Sequence, residues 1–374
     1  MSDRNRERTG LHLLMTADCL GGVWDHALTL AGELGRRGHR VDLAVLGGPL
    51  AADQRDRAAS VPGLTLFDSV WGLEWMPDRG DDVAASGDWL LRLEQERQPD
   101  LVHVNGYAHA ALAFRAPVLC AAHSCVVGWF AAVRGAEPPA AFDSYRDGVE
   151  AGLAAAGLVV APSRAMAAEL AFHHGHGGPV TVIPNGVDPQ GHRVGPKDLH
   201  VLSAGRVWDA AKNMHSLDAV APGLAAPVLV AGEGCGPDGV GARLTHARAL
   251  GRLPAEAMRE AYARASVFCL PALYEPFGIA ALEAALSGCA LVLGDIPSQR
   301  ELWGEAALLV PPGDGEALRR ALNGLLCDPG RRADLAAAAA IRARRYTASA
   351  MADGYLDAYA TLMSGRGRSD AVAA

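Results

Sequence analysis

The chain has 374 residues, of which 50% are hydrophobic and 20% charged, and its formal net charge at pH 7 is −8. This length allows two domains with hydrophobic cores, and an acidic balance without long basic runs argues against nucleic acid as a partner. Residues 1–10 are mostly polar and no later apolar run is long enough to span a bilayer. The sequence therefore predicts a soluble, cytoplasmic protein.

Strand and helix patterns alternate through the first half of the chain. A strand over residues 11–15, a tight loop at Gly21 and Gly22, a helix over 24–37 and a strand over 41–46 predict a βαβ unit. Further strands are predicted at 101–104, 118–122, 158–161 and 180–183, and helices at 88–96, 140–156 and 163–172. This alternation predicts a mainly parallel sheet with helices on both faces.

The same alternation restarts after a polar linker at residues 189–198. Strands are predicted at 199–204, 227–231, 267–270, 290–293 and 308–310. Asp314 is a plausible N-cap for a helix that continues to residue 326, and a terminal helical pattern covers 346–363. The last ten residues are predicted to be a solvated tail. The chain is therefore expected to contain two Rossmann-like halves.

Cysteine and histidine residues give no sign of a metal site or a disulfide framework. The seven cysteines include no CxxC pair, which is typical of scattered reduced thiols, and Cys120 and Cys125 are predicted to be buried and inert. The histidines between His173 and His176 lack carboxylate or cysteine partners at ligand spacing. We expect no metal and no cofactor.

Residues 271–288, PALYEPFGIAALEAALSG, place one glutamate before a predicted helix and a second glutamate inside it. Apolar residues at helical spacing continue to residue 286, so we expect the helix to start near Phe277. The first N–H groups of a helix have no partner within it and carry partial positive charge. The amides of Phe277, Gly278 and Ile279 are therefore candidates to receive a diphosphate.

The two glutamates are Glu275 and Glu283. Glu283 lies about five residues into the helix, or roughly 7–8 Å along its axis, so the two carboxylates cannot act as an adjacent pair. We expect them to contact opposite ends of one ligand, and this geometry suits a nucleotide sugar.

This pattern resembles the E-x7-E signature of the retaining glycosyltransferases with the GT-B fold, the large sucrose synthase-like and mannosyltransferase-like family known as glycosyltransferase family 4. The resemblance continues through residues 294–301 and 306–314 and covers the C-terminal half. It implies an α/β fold of the GT-B type, with two Rossmann-like domains that face each other across a cleft.

The resemblance also divides the chain into functional regions. Residues 1–185 are expected to form an acceptor-binding domain and residues 186–345 a donor-binding domain. Residues 346–374 are expected to supply a helix that crosses back to the first domain, followed by a flexible tail.

Arg206 and Lys212 follow the first predicted strand of the second half, where open α/β sheets place ligands. Two cations there can balance a diphosphate, and the resemblance implies that they are the family's diphosphate pair, with catalytic and donor-binding roles. The alternative is an ion pair with Asp209 at the surface. The loop between Arg206 and Lys212 is one residue longer than is common in the family, and Asn213 replaces a frequent glycine.

Donor contacts are implied at three further places. Glu275 matches the residue that contacts the hydroxyls of the donor sugar and is predicted to be catalytic, while Glu283 matches the residue that binds the ribose. Gly251 and Leu253 lie where the family contacts the nucleobase through backbone groups. Their sequence does not choose among uracil, guanine and adenine.

In the first half, His123 follows a predicted strand and matches the histidine that lines the reaction centre, where it is expected to bond a sugar hydroxyl. Gly21 and Gly22 allow the backbone to approach a phosphate or an acceptor closely, so Gly22 is assigned to the donor and Gly21 to the acceptor. His103 and Asn105 end another strand and are candidates for the acceptor side. A purely structural role is the alternative for each histidine.

The expected reaction is transfer of a sugar from a nucleoside diphosphate sugar, with a UDP-sugar favoured and GDP-mannose open. The acceptor is left open as a glycan, a lipid-linked molecule or a small molecule of carbohydrate or natural-product biosynthesis, and peripheral membrane contact stays open with it. Acceptor specificity is expected to come from loops of the first half, notably residues 68–77 and 127–130, whose tryptophans either stack on a sugar or an aglycone or serve only for packing. The chain has no Asp-x-Asp pair, which favours a metal-independent enzyme.

Two other functions are compatible with the same architecture. A sugar-nucleotide epimerase would need no acceptor, and a sugar-nucleotide-binding subunit would have no activity. A dinucleotide-dependent oxidoreductase is disfavoured because residues 232–236 lack the G-x-G-x-x-G spacing.

Overall fold

The computed structural model describes residues 10–236, 239 and 241–370. Its first sheet is entirely parallel, with the strand order β3-β2-β1-β4-β5-β6-β7. The strands are β1 (His12–Asp18), β2 (Arg40–Leu46), β3 (Leu64–Asp68), β4 (Leu101–Val104), β5 (Val118–Ala121), β6 (Leu158–Ala161) and β7 (Val180–Val182). Both faces of the central strands are buried, which explains their continuous apolar sequences.

The second sheet is also parallel, with the order β10-β9-β8-β11-β12-β13. Its strands are β8 (Asp198–Ala204), β9 (Val228–Ala231), β10 (Arg248–Gly251), β11 (Ala265–Leu270), β12 (Ala290–Gly294) and β13 (Leu308–Val310). The predicted α/β class, with two Rossmann-like sheets, is confirmed.

Helices connect the strands of both sheets. Those of the first half are α1 (Gly22–Arg36), α2 (Ala52–Ala59), α3 (Gly80–Arg97), α4 (Val126–Arg134), α5 (Asp143–Ala155) and α6 (Arg164–His174). Those that follow are α7 (Met214–Val220), α8 (Ala255–Arg264), α9 (Ile279–Leu286), α10 (Pro297–Trp303), α11 (Gly315–Cys327), α12 (Pro329–Ala343) and α13 (Ala348–Asp370). Asp314 caps α11, as the sequence predicted, by accepting a hydrogen bond from the amide of Ala317.

Helix α13 follows the second sheet but packs into the core of the first. Tyr355 and Tyr359 are almost completely buried there, in one cluster with residues of α1 and β1. The helix continues to Asp370, past the predicted end at residue 363. The remainder of the predicted tail and residues 1–9 lie outside the described residues. The domain boundaries at 185 and 345 stay predictions.

The two halves also contact each other directly. Glu301 of α10 accepts hydrogen bonds from the amides of Arg164 and Ala165, each at 2.9 Å, and thereby caps helix α6 of the other half. The hydroxyl of Ser163 donates to the carbonyl of Pro276 at 2.8 Å. These contacts fix the segment that leads into α9 against the first half.

Several elements were not predicted from the sequence. Strands β3 and β10 lie at sheet edges and are largely half-exposed or exposed, so their apolar pattern is weak. Helix α12 is rich in alanine and contains few large apolar residues, which gives little periodicity. Among the described residues, no helix has the length and apolar character needed to cross a membrane.

Candidate active site between the two sheets

Strand order brings the predicted site residues together. The order reverses between β1 and β4 in the first sheet and between β8 and β11 in the second. Ligands of open α/β sheets bind at such switch points, beyond the carboxyl ends of the strands. Gly21 follows β1 and Asn105 follows β4, while Arg206 and Lys212 follow β8 and Glu275 follows β11. The residues thus come from both switch points.

The loop after β8 is attached to the loop after β11. The amide of Leu273 donates to the carbonyl of Ala211 at 2.8 Å. Asn213 has a left-handed backbone with a φ of 54°, and its side-chain amide donates to the carbonyls of Pro271 and Pro312 at 2.9 and 2.8 Å. Asparagine tolerates this conformation better than most residues, so it can stand where the family often has glycine.

These attachments bring Lys212 to Glu275, with 2.6 Å between Nζ and Oε2. Their side chains are only 15% and 13% exposed, so the pair is shielded from water. The backbone of Glu275 is held as well, because its carbonyl accepts hydrogen bonds from the hydroxyl of Ser298 and from the side-chain amide of Gln299. The longer loop therefore does not prevent Lys212 from reaching the site.

Arg206 forms an ion pair with Asp209, at 2.7 Å between Nη2 and Oδ2. The ion pair with Asp209 that the sequence offered as an alternative is therefore present, with a carboxylate that is only 5% exposed and a guanidinium that is 35% exposed. Burial raises the pKa of Asp209, but the charges of Arg206 and Lys212, together with the hydrogen bonds from Trp129 and Ala211, leave the pKa below its usual value. The guanidinium also lies over the ring of Trp208, 5.3 Å from its centre.

Gly21 lets Arg206 approach the first half. A Cβ atom at this position would lie 2.9 Å from Nη1 of Arg206, and the φ of 73° already disfavours other residues. The predicted acceptor residue Gly21 is thus placed beside the predicted phosphate-binding arginine.

Helices α1 and α9 begin opposite each other. A Cβ atom on Gly22 would lie 3.6 Å from Cδ1 of Ile279, and each of these residues is the first of its helix. Each helix is preceded by a glycine with positive φ, Gly21 or Gly278, and neither has a side-chain cap. Their first amides therefore point positive partial charge into the cleft.

The start of α9 differs slightly from the prediction. The helix begins at Ile279 rather than near Phe277, because Gly278 at a φ of 94° forms the N-cap. The side chain of Phe277 is buried and packs against Tyr346, with 5.6 Å between the ring centres. The available helical amides are therefore those of the first turn after Gly278.

Glu283 lies on α9, half-buried, and accepts a hydrogen bond from the hydroxyl of Tyr262. Burial, reinforced by the charge of Asp25 on α1, raises the pKa of Glu283 to about 7. Asp25 belongs to the first half, so Glu283 faces the boundary between the two halves.

The predicted nucleobase segment lies at the end of β10. Gly251 is exposed, with a φ of 70°, and its carbonyl accepts from the amide of Gly232 at 2.9 Å. Leu253 is half-buried. Between them, Arg252 forms an ion pair with Asp53 of the first half at 2.8 Å.

His123 shares a hydrogen bond with Asn105, at 2.7 Å between Nε2 and Oδ1. The amide nitrogen of Asn105 donates to the carbonyl of Thr16, so its oxygen is the acceptor and His123 donates from Nε2. Burial lowers the pKa of His123 to about 4. The imidazole is therefore neutral at physiological pH, and its Nδ1 can accept a hydrogen bond.

The structure does not bring His103 to the cleft. The side chain is completely buried, shares a 2.8 Å hydrogen bond with the hydroxyl of Tyr359 and stacks on Tyr355. The alternation of side chains along β4 places His103 on the face of the sheet that α13 covers. The acceptor role of His103 stays a prediction, and the contacts of its ring are with Tyr355 and Tyr359 of α13.

Asp18 was not predicted as a site residue. Its position as a polar residue at the carboxyl end of a buried strand, shortly before Gly21, could have indicated this role. Its carboxylate accepts a hydrogen bond from Nε1 of Trp75 at 2.7 Å. It also lies close enough to Arg206 for the positive charge to lower its pKa. Burial raises its pKa to about 7, against the opposing effect of the Trp75 hydrogen bond. Trp75 belongs to the predicted acceptor loop at residues 68–77, so that loop reaches the site.

The second predicted acceptor loop, residues 127–130, is part of helix α4. The side chain of Trp129 donates from Nε1 to Asp209 at 3.0 Å, so its polar group contacts the second half instead of solvent. Among the residues the structure describes, no three His, Cys, Asp or Glu side chains cluster as metal ligands would.

Sequence models of two families match the chain. Glycosyltransferase Family 4 matches residues 20–190, and Glycosyl transferases group 1 matches residues 198–328. The chain is 33% identical over 203 residues to the phosphatidyl-myo-inositol mannosyltransferase of Mycolicibacterium smegmatis, covering 50% of this chain and 52% of that protein. It thus spans about half the length of that relative. It is 29% identical over 288 residues to the glycogen synthase of Mycobacterium tuberculosis, covering 69% and 68%.

Solved structures share the fold. Sucrose-phosphate synthase from Thermosynechococcus elongatus matches with a TM-score of 0.79 and 19% identity, over 95% of this chain and 100% of that chain. Anabaena HepE in complex with UDP matches with a TM-score of 0.69 and 18% identity, over 94% and 100%. The arrangement predicted as GT-B is confirmed.

The raised pKa of Glu283 gives a testable effect on stability. Its shift from 4.5 to about 7 means that the folded protein holds the proton more tightly, so stability falls as pH rises through this interval. We expect Glu283→Gln to melt a few degrees above wild type at about pH 8, because glutamine stays neutral there. The difference in melting temperature should shrink as pH falls toward about 5. Glu305→Gln, at an exposed position, is the control. A pH-independent difference for Glu283→Gln would contradict the assignment.

Proposed function

Because the chain belongs to glycosyltransferase family 4, we propose that it transfers a sugar from a nucleoside diphosphate sugar to an acceptor hydroxyl. The matches to the two family models and to the relatives confirm the family resemblance drawn from the sequence. One observation carries the proposal: Arg206, Lys212 and the uncapped start of α9 converge where the strand order of the second sheet reverses.

The leaving diphosphate would be stabilised by protein groups alone. Arg206 offers parallel N–H donors, Lys212 offers a point charge, and the first amides of α9 add the positive end of a helix. Groups of this kind, fixed before the reaction, stabilise charge that develops on a leaving group. The reaction would then need no divalent ion.

Glu275 suits sugar binding better than nucleophilic attack. Its ion pair with Lys212 at 2.6 Å partly neutralises the carboxylate, which lowers its nucleophilicity while it still accepts hydrogen bonds from sugar hydroxyls. His123, neutral and with Nδ1 available, would accept from another hydroxyl. We propose retention of configuration by a same-face mechanism, in which the departing phosphate takes the acceptor proton.

The remainder of the donor would extend along α9 and β10. Glu283 has two acceptor oxygens for a ribose diol, and the exposed Gly251 allows a base to approach the backbone next to Leu253. The UDP held by HepE supports a uridine donor as the first to test, with GDP-mannose as the second.

The acceptor would enter from the first half, past Asp18, Trp75 and the loop at residues 68–77. The relatives include an enzyme named for a phosphatidyl-inositol acceptor and one named for glycogen, so both lipid-linked and glycan acceptors belong in a screen. The screen of acceptors should also contain small molecules.

The proposal is tested by incubating the purified chain with UDP- and GDP-sugars, with and without these acceptors, and analysing products by mass spectrometry. Acceptor-dependent release of the nucleoside diphosphate is expected. Isomerised donor in the absence of acceptor would indicate an epimerase, and donor binding without any turnover would indicate a binding subunit. Either outcome would contradict the proposal.

Lys212→Ala should weaken binding of a nucleoside diphosphate more than binding of the nucleoside. One charge-assisted hydrogen bond is worth about 1.5–3 kcal/mol, so UDP affinity should fall about tenfold or more while uridine affinity stays unchanged. Isothermal titration calorimetry gives both values. Arg320→Ala removes an exposed cation as a control. Equal losses for UDP and uridine would refute the phosphate role.

Glu275→Ala should abolish transfer, because it removes the proposed contact with the donor sugar, and it should lower the melting temperature, because Lys212 loses its shielded counter-charge while the core packing is unchanged. A loss of transfer of about a hundredfold or more is expected from a group that acts in the transition state. Initial rates and melting curves measure the two effects, and Glu305→Gln serves as the surface control. Near-normal turnover would count against the assignment.

A further inference from the structure

Helix α4 belongs to the first half but bonds both loops of the second half that carry the charged site residues. From its N-terminus, the amide of Cys125 donates to the hydroxyl of Tyr274 at 2.9 Å, and Tyr274 directly precedes Glu275. One turn later, Nε1 of Trp129 donates to Oδ1 of Asp209 at 3.0 Å. The helix therefore bridges the two halves beside the proposed diphosphate site.

Asp209 connects Trp129 to Arg206, because its carboxylate accepts hydrogen bonds from both side chains. Its Oδ1 accepts from Trp129 and from the amide of Ala211, each at 3.0 Å, while its Oδ2 accepts from Nη2 of Arg206 at 2.7 Å. Every oxygen of this buried carboxylate is thus engaged. Because the carboxylate is charged, the indole N–H makes a stronger bond with it than with a neutral acceptor.

The indole ring has other contacts that hold its orientation. The guanidinium of Arg134 lies over the ring, 5.7 Å from its centre, and the ring of Phe130 contacts it edge-on at 5.1 Å. Phenylalanine at this position would keep an aromatic ring in contact with Phe130, but it would lose the N–H group together with the second ring of the indole. Trp129 is half-buried, so water can enter the space that the smaller ring leaves, and the hydrogen bond can be removed without creating a closed cavity.

We propose that Trp129 is a positioning residue for the diphosphate site, acting on Arg206 through Asp209 when the two halves are in contact. This inference rests on the proposed function. A bond that crosses between the halves forms only when they approach, so closure fixes Asp209 and the arginine that rests on it. Without the indole N–H, the carboxylate of Asp209 has one hydrogen-bond donor fewer and therefore binds Arg206 more strongly. It then competes with a diphosphate for the guanidinium.

The test is calorimetry of UDP and uridine with wild type and Trp129→Phe. We expect UDP affinity to fall about five- to tenfold, uridine affinity to stay unchanged and the melting temperature to stay near wild type. Trp89→Phe, the same substitution at a half-buried site beside Trp71, should leave the ratio of the two affinities unchanged. A purely structural role would lower the melting temperature and leave that ratio unchanged, which would overturn the proposal.

A double-mutant cycle identifies the route of the effect. In an Arg206→Ala background, Trp129→Phe should cause no further loss of UDP affinity, because the group that it positions is gone. Independent, multiplying losses would overturn the inference. Wild-type protein that binds neither UDP nor GDP would instead contradict the proposed function itself, while normal wild-type binding with an unaffected Trp129→Phe variant would contradict only the role of Trp129.

Discussion

Two ion pairs with buried or nearly buried carboxylates are the constraint on which the site depends. In the proposed function Arg206 and Lys212 must lie close together to hold a diphosphate, yet cations held close together in a partly buried loop require counter-charges. Asp209 and Glu275 supply them, at 2.7 and 2.6 Å. The carboxylates keep the cations oriented before a ligand arrives, so a diphosphate would meet donors already in place.

The fold explains why these residues meet. In each sheet the strand order reverses at the centre, and the loops that flank the two reversals face each other. Glycines at 21 and 278 start α1 and α9 without a side-chain cap, which leaves two positive helix ends in the same cleft. Helix α13 then returns to the first core and connects the second half to it. Topology thus places the charges, and glycine allows the halves to approach.

Much of this was predictable because it depends on local sequence. Buried parallel strands give continuous apolar runs, and the glutamates at 275 and 283 flank a helix start that the sequence marks with glycine. Contacts between distant segments were not predictable. The burial of His103 under Tyr359, the Asp18–Trp75 bond and the Trp129–Asp209 bond each join residues more than fifty positions apart. Local patterns carry no information about such pairs, so the sequence alone did not show these contacts.

The central claim is that the loops after β8 and β11 form a cradle for a diphosphate without a metal ion. A crystal structure of the chain with UDP, grown with Mg²⁺ present, tests it most directly. The account predicts phosphate oxygens within hydrogen-bond distance of Arg206, Lys212 and the first amides of α9. A UDP molecule bound elsewhere, or one held through a divalent ion on protein carboxylates, would contradict it.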